Sequence, residues 1–276
     1  MIKENIVTGE KLQNLCELFI GTSNNKNYNP TFRNDRRWID IHDILNNKQI
    51  IDNPKFVYLC SADVEYLCKI LEYLKNPFVL LMHNSDQSIT EKYSDVFDNE
   101  KILKIYTQNL LIHHPKCMVL PIGVANSQWN HGNLDLFCKV INDTEMKKEN
   151  YIYFYFEINT NTKARQDCYN ILSQKGLKWD QKRNFEDYLI TMKKHKYTIC
   201  PVGNGPDCHR FWECLYLDVI PIVVNNPLIQ HLKKYFKMVI LENWNNFDPN
   251  NLVLNEPLYS SLIFFEDYKK LIYKSC

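Results

Sequence analysis

Residues 197–224 read YTICPVGNGPDCHRFWECLYLDVIPIVV, and this stretch decides the fold. The apolar run 197–200 reads as a strand. Residues 201–206, with Gly203, Gly205 and a proline at each end, read as a loop. Residues 207–217 read as a helix with Asp207 at the N-cap, and 219–224 as a short buried strand. Strand, loop, helix, strand is the crossover unit of a parallel sheet.

The same alternation continues outward. Residues 151–156, YIYFYF, form an aromatic, strand-like run; 163–174 reads as a helix stopped by Gly176, and 185–194 as another. On the N-terminal side, short apolar runs at 15–20, 56–60, 78–82, 102–106 and 118–120 read as strands. Val64, Leu67, Cys68, Leu71 and Leu74 share helical spacing between two of them. The expected organisation is an α/β protein of two Rossmann-like lobes. Residues 1–125 form the first and 126–150 a polar connection with a helix near 134–141. Residues 151–250 form the second, and 251–276 a helical tail packing back across the lobes.

Composition narrows the class. The 276 residues are 45% hydrophobic and 24% charged, which excludes a disordered or collagen-like chain. Lys and Arg number 33 against 32 Asp and Glu, a net charge of +1, so bulk attraction to nucleic acid is not expected. No apolar run of about 18 residues reads as a membrane span. The N-terminus, Met1-Ile2-Lys3-Glu4-Asn5, lacks the apolar core of a secretory signal. Ten cysteines without such a signal read as reduced thiols in a cytoplasmic protein. With only 7 glycines, each one is informative.

The chemistry concentrates in the 197–224 stretch. The first N–H groups of a helix have no partner within it, and the helix dipole places partial positive charge there, so an anion is well placed where the glycine loop enters the helix at Asp207. Gly203 and Gly205, flanking Asn204, let a backbone approach a ligand closely. Arg210 brings a planar guanidinium that suits a diphosphate, with His209 beside it. Glu213, one turn on, offers a carboxylate to ribose or sugar hydroxyls. The bland readings are a plain turn for Gly203–Pro206 and a surface ion pair for Arg210 and Glu213.

The string GNGPDCHRFWECLYLDVIPIV resembles the C-terminal nucleotide-sugar segment of exostosin-type glycosyltransferases of the GT-B fold, and is similar to the short forms carried by large DNA viruses. A Gly-containing loop, an Arg, a Glu three residues on and an apolar strand with Pro are matched by Arg210, Glu213 and Pro221. Asp218 departs from the small residue usual there, which bears on helix termination more than on chemistry. Phe19-Ile20-Gly21-Thr22, Tyr106-Thr107-Gln108-Asn109 and Leu120-Pro121-Ile122-Gly123 extend the likeness more weakly. The resemblance implies two lobes facing across a cleft. It implies metal-independent transfer of a sugar, with inversion, from a UDP- or GDP-sugar donor to a glycan acceptor, in the host cytoplasm if the chain is viral. Gly203, Asn204, Gly205, Asp207, His209, Arg210 and Glu213 would then hold the donor. The alternative is a catalytically inactive nucleotide- or glycan-binding module of the same fold.

Other candidates follow from strand ends. Lys163 or Arg165, after the 151–156 strand, would neutralise the leaving diphosphate; a solvated helix start is the bland reading. His83-Asn84-Ser85-Asp86 follows the 78–82 strand, where Asp86, or else His83, would take the acceptor proton. A turn capped by Asn and Asp is the competing reading. No Asp-x-Asp appears, and Cys200, Cys208, His209 and Cys214 lack the C-x2-C spacing of structural zinc, so no metal is expected. Trp212 reads as core, and Trp129 as a ligand-facing aromatic. Arg33, Arg36 and Arg37 read as a solvated face.

Overall fold

The structure is a computed structural model that describes residues 1–24, 37–260 and 262–275. Arg33 and Arg36 of the basic cluster lie outside the described residues. The chain divides into two compact units, one made of Val7–Ile122 with Phe264–Cys276, the other of Met1–Ile6 with Gly123–Ile263.

Among the described residues the first unit carries six parallel strands: β1 (Leu18–Gly21), β2 (Arg37–Asp40), β3 (Phe56–Cys60), β4 (Phe78–His83), β5 (Ile102–Thr107) and β6 (Cys117–Val119). Their order is β2-β1-β3-β4-β5-β6. β4, FVLLMH, is buried along its whole length, as a central parallel strand covered on both faces must be. Helices α1 (Gly9–Gln13), α2 (Ile41–Asn47), α3 (Leu67–Ile70) and α4 (Ser94–Phe97) are short. The single helix expected over 64–74 is broken into a 3-10 turn at Ser61–Tyr66, α3, and a second 3-10 turn at Leu71–Tyr73. Both ends of the segment are held from elsewhere in the unit. Asp63 accepts a hydrogen bond from the Thr22 N–H at 2.9 Å. Lys101 Nζ donates to the carbonyls of Leu71 and Leu74 at 2.9 and 2.6 Å. β2 carried no legible signal, because its four residues, RWID, show no apolar run.

The described residues of the second unit form four parallel strands: β7 (Asn150–Tyr153), β8 (His195–Ile199), β9 (Ile220–Val224) and β10 (Val239–Leu241), in the order β10-β9-β8-β7. Its helices are α5 (Leu134–Asn142), α6 (Thr162–Gln174), α7 (Phe185–Lys193), α8 (His209–Tyr216) and α9 (Pro227–Leu232). Segment 126–150, expected as a connection, belongs to this unit. Lys193 Nζ anchors it by donating to the carbonyls of Val140, Ile141 and Asp143 at 2.7, 2.8 and 2.7 Å, closing the C-terminus of α5. The aromatic run stays in the sheet only as far as Tyr153. Beyond it Phe154 and Phe156 turn inward against Trp179, with ring centroids 4.8 and 5.0 Å away. Asp218 adopts a left-handed backbone (φ 54°), and the Val219 N–H donates back to Cys214 O at 2.9 Å. That closes α8, as the departure at this position led one to expect.

The last helix, α10 (Phe265–Tyr273), packs in the first unit. Tyr268 and Ile272 are buried, Tyr106 Oη donates to Leu271 O at 3.1 Å, and the Tyr273 ring meets Phe56 edge-on. Among the described residues no helix is long and apolar enough to cross a membrane.

Candidate functional site

The site lies where β8 runs into α8. Its first feature corrects an expectation. The N-cap of α8 is Cys208, not Asp207, and it gives no side-chain cap. Asp207 is buried, and its Oδ1 accepts from the indole N–H of Trp212 at 2.8 Å. A fully buried indole N–H needs an acceptor, and Asp207, five residues earlier, supplies it. Trp212, 1% exposed, is core as expected.

The glycine loop is folded on itself rather than open. The Gly203 N–H donates to Gly205 O at 3.1 Å, and Gly203 O accepts from Asn161 Nδ2 at 2.8 Å. Arg165, expected to face a diphosphate, is 6% exposed and braces this loop. Its Nε donates to Val202 O at 2.9 Å and its Nη1 to Glu157 O at 2.7 Å, with Phe156 under the guanidinium. A Cβ at Gly203 would meet Arg165 Nη2 at 3.5 Å, an ordinary contact, so the surrounding protein does not require glycine there. Asn204 and Lys163 are exposed.

Arg210 differs from Arg165. Its guanidinium lies over the rings of Tyr188 and Tyr153, 5.1 and 5.8 Å from their centroids. Among the described residues, Nη1 is sealed from solvent and has no hydrogen-bond partner. The surface ion pair considered for Arg210 and Glu213 does not form. Glu213 is 4% exposed and its Oε2 accepts from Tyr188 Oη at 2.6 Å. Burial pushes the Glu213 carboxyl above its ordinary range, while the Tyr188 hydrogen bond and the Arg210 charge pull it back. A guanidinium stays protonated in proteins, so this corner holds a fixed cation with an unmet donor. Desolvating a cation without an anion is unfavourable, and aromatic faces offset only part of that cost. An incoming oxyanion would complete it.

A cavity of about 400 Å³ opens on the other face of α8. It sits beyond the carboxyl ends of β8, β9 and β10, where parallel sheets bind ligands. Pro201, Val202, Phe211, Leu228 and Trp244 form apolar walls, and Asp207, Asn225, Asn226, Asn243 and Asn245 bring polar groups. Arg210 and Glu213 do not line it, because on a helix they face away from Cys208 and Phe211, which do. The Pro206–Cys208 turn is the element that cavity and α8 share.

Two groups on the Arg210 side were not both legible. Trp129, read as a ligand-facing aromatic, is 54% exposed and stacks on His131 at 6.2 Å. His131 escaped notice. It lies 6.0 Å from the His209 ring and 6.4 Å from Phe185. Burial and the neighbouring His209 hold its imidazole below the usual range. The His209 Nδ1–H donates to Gly123 O at 2.7 Å. The available signal was Gly132, one of the seven glycines: a Cβ there would collide with the carbonyl group of Asn126. That glycine lets residues 126–132 close on their own backbone, fixing both aromatic side chains.

In the first unit, Asp86 is exposed after β4. His83 is 1% exposed, its Nε2–H donates to Pro121 O at 2.9 Å, and a Cβ on Gly9 would come within 2.7 Å of its ring. It braces the strand end and is not placed to meet a solvent-side hydroxyl.

Among the described residues, no group of three or more His, Cys, Asp and Glu side chains is gathered to hold a metal ion. Cys200 and Cys214 lie with sulfurs 3.7 Å apart as free, buried thiols. No family model matches the chain. It is similar to the uncharacterized mitochondrial protein ORF15 of Paramecium tetraurelia, 34% identical over 71 residues, which is 24% of this chain and 82% of that protein. Over that segment the chain belongs to one family with it, and the name carries no activity.

Proposed function

We propose that the protein is a nucleotide-sugar-dependent glycosyltransferase, with its two α/β units arranged as in the GT-B fold and facing each other across a cleft. One observation supports this above the others: the buried, unpartnered Nη1 of Arg210 at the start of α8. In this reading the diphosphate of a UDP- or GDP-sugar meets Arg210 and the first N–H groups of α8. The nucleoside enters the cavity lined by Val202, Phe211 and Trp244, across the Pro206–Cys208 turn. Glu213, oriented by Tyr188, accepts from a hydroxyl of the donor. Arg165 holds the loop and acts through it. Asp86, exposed in the first unit, takes the acceptor proton in an inverting transfer.

A thermal-shift panel of nucleoside diphosphates and their sugars tests the reading. One nucleotide class should raise the melting temperature, since a ligand at 100 times its Kd adds about 2.7 kcal/mol. Arg210→Met should remove the rise. A flat response to the whole panel overturns the assignment. Release of free nucleoside diphosphate in the presence of an acceptor separates an enzyme from a binding module of the same fold.

A further inference from the structure

A series of rings runs from solvent to the buried cation. Trp129 stacks on His131 at 6.2 Å, with 22° between ring planes. His131 meets Phe185 edge-on at 6.4 Å, and Phe185 stacks on Tyr188 at 6.2 Å. Tyr188 lies beneath the Arg210 guanidinium and donates to Glu213. The outer end is the most open, with Trp129 54% exposed. Its position is fixed rather than loose. The Trp129 N–H donates to Asn126 O at 3.0 Å, the Gly132 N–H to Trp129 O at 2.8 Å, and Gly132 packs on the backbone of Ala125 and Asn126.

All these groups belong to one unit, so a single fold sets their spacing. An exposed indole on a rigid loop presents a flat, weakly polar face. The C–H faces of a pyranose ring are complementary to it, and the ring's hydroxyls remain free for solvent and for polar neighbours. The rings end at the proposed diphosphate position. In the transferase reading a sugar bonded to that diphosphate would take the inner end, and the outer end would be left for a second sugar.

We propose that Trp129, backed by His131, is the platform on which the acceptor glycan's terminal ring stacks. The acceptor role rests on the transferase reading; the platform rests on the geometry alone.

The test uses the full chain and neutral trisaccharides of glucose, N-acetylglucosamine, galactose and xylose. Their titration is followed by tryptophan fluorescence, with no donor present. At least one should give a saturable change. Trp129→Ala should weaken that binding about tenfold, and Trp129→Phe, which keeps an aromatic face, by no more than about threefold. In transfer assays the Trp129→Ala variant should raise the acceptor KM about tenfold and leave the donor KM within about twofold. Circular dichroism on both variants confirms folding. Absence of saturable binding overturns the platform, as does binding indifferent to Trp129→Ala. A change in donor KM in place of acceptor KM assigns the platform to the donor sugar and overturns the acceptor role. Trp129-dependent glycan binding with no nucleoside diphosphate released from any UDP- or GDP-sugar would instead sink the transferase reading and leave the platform standing.

Discussion

The carboxyl ends of the two sheets make an informative pair. At the end of β4, polar groups are abundant and matched. Tyr58 Oη and Ser61 Oγ donate to His83 O, and Asn84 Nδ2 donates to Gln13 and to Tyr58. The Asn84 N–H donates to Gln108, and Asn109 donates to Ser85 O. At the end of β8 the arrangement is incomplete: Arg165 is matched to two carbonyls, Arg210 keeps a sealed donor without an acceptor, and a cavity opens on the opposite face of α8. A satisfied network fixes a fold; a cation with an unmet donor calls for an anion.

The contrast can be broken by experiment, starting with the two arginines. Arg165→Met strands two carbonyls and loosens the 201–205 loop, so urea unfolding should show a loss of roughly 3 kcal/mol or more. Arg210→Met keeps the apolar stem but deletes the unmet charge. Stability should hold or rise, while nucleoside diphosphate affinity falls about 100-fold, close to 2.7 kcal/mol. A large stability loss in Arg210→Met would show that its charge serves the fold.

At the other sheet end, Asn84→Ala should cost roughly 1–3 kcal/mol in chemical denaturation, because it removes matched donors. A left-handed backbone (φ 59°) adds strain for alanine there. Nucleoside diphosphate binding should not change, and any loss of it would blur the division between the two ends.

The smallest effect is a pH slope. Burial, above all, lowers the proton affinity of His131 and of His195. Both bind protons more readily in the unfolded chain. Their contribution to stability is therefore complete above about pH 6.5 and lost as the pH falls below it. The melting temperature should drop between pH 7 and 5.5, and His195→Gln should flatten that slope.

Much of this architecture was legible because parallel strands buried on both faces must be apolar. The β3 run Phe56–Cys60 and the core of β4 coincide with what the apolar pattern marks, and α6, α7 and β9 differ by a residue at an end. Short pieces were not legible. α1, β2, α9 and β10 each have six residues or fewer and offer too few periods to register. The 64–74 segment kept its apolar spacing yet lost helical continuity, because spacing reports burial and not the destination of each carbonyl.

By itself the sequence determined that there are two α/β units, and that Arg210 and Glu213 stand one turn apart at the start of a helix after a strand, since local periodicity and chain order fix both. Only the tertiary structure decided which guanidinium is satisfied, where Asp207 turns, that Gly203 spends its N–H inside the loop, and that His131 and Trp129 stand on the Arg210 side. Several of those outcomes depend on partners distant in the chain, Val202 for Arg165, Tyr188 for Arg210 and His209 for His131, and no spacing within one segment encodes a contact made across the fold.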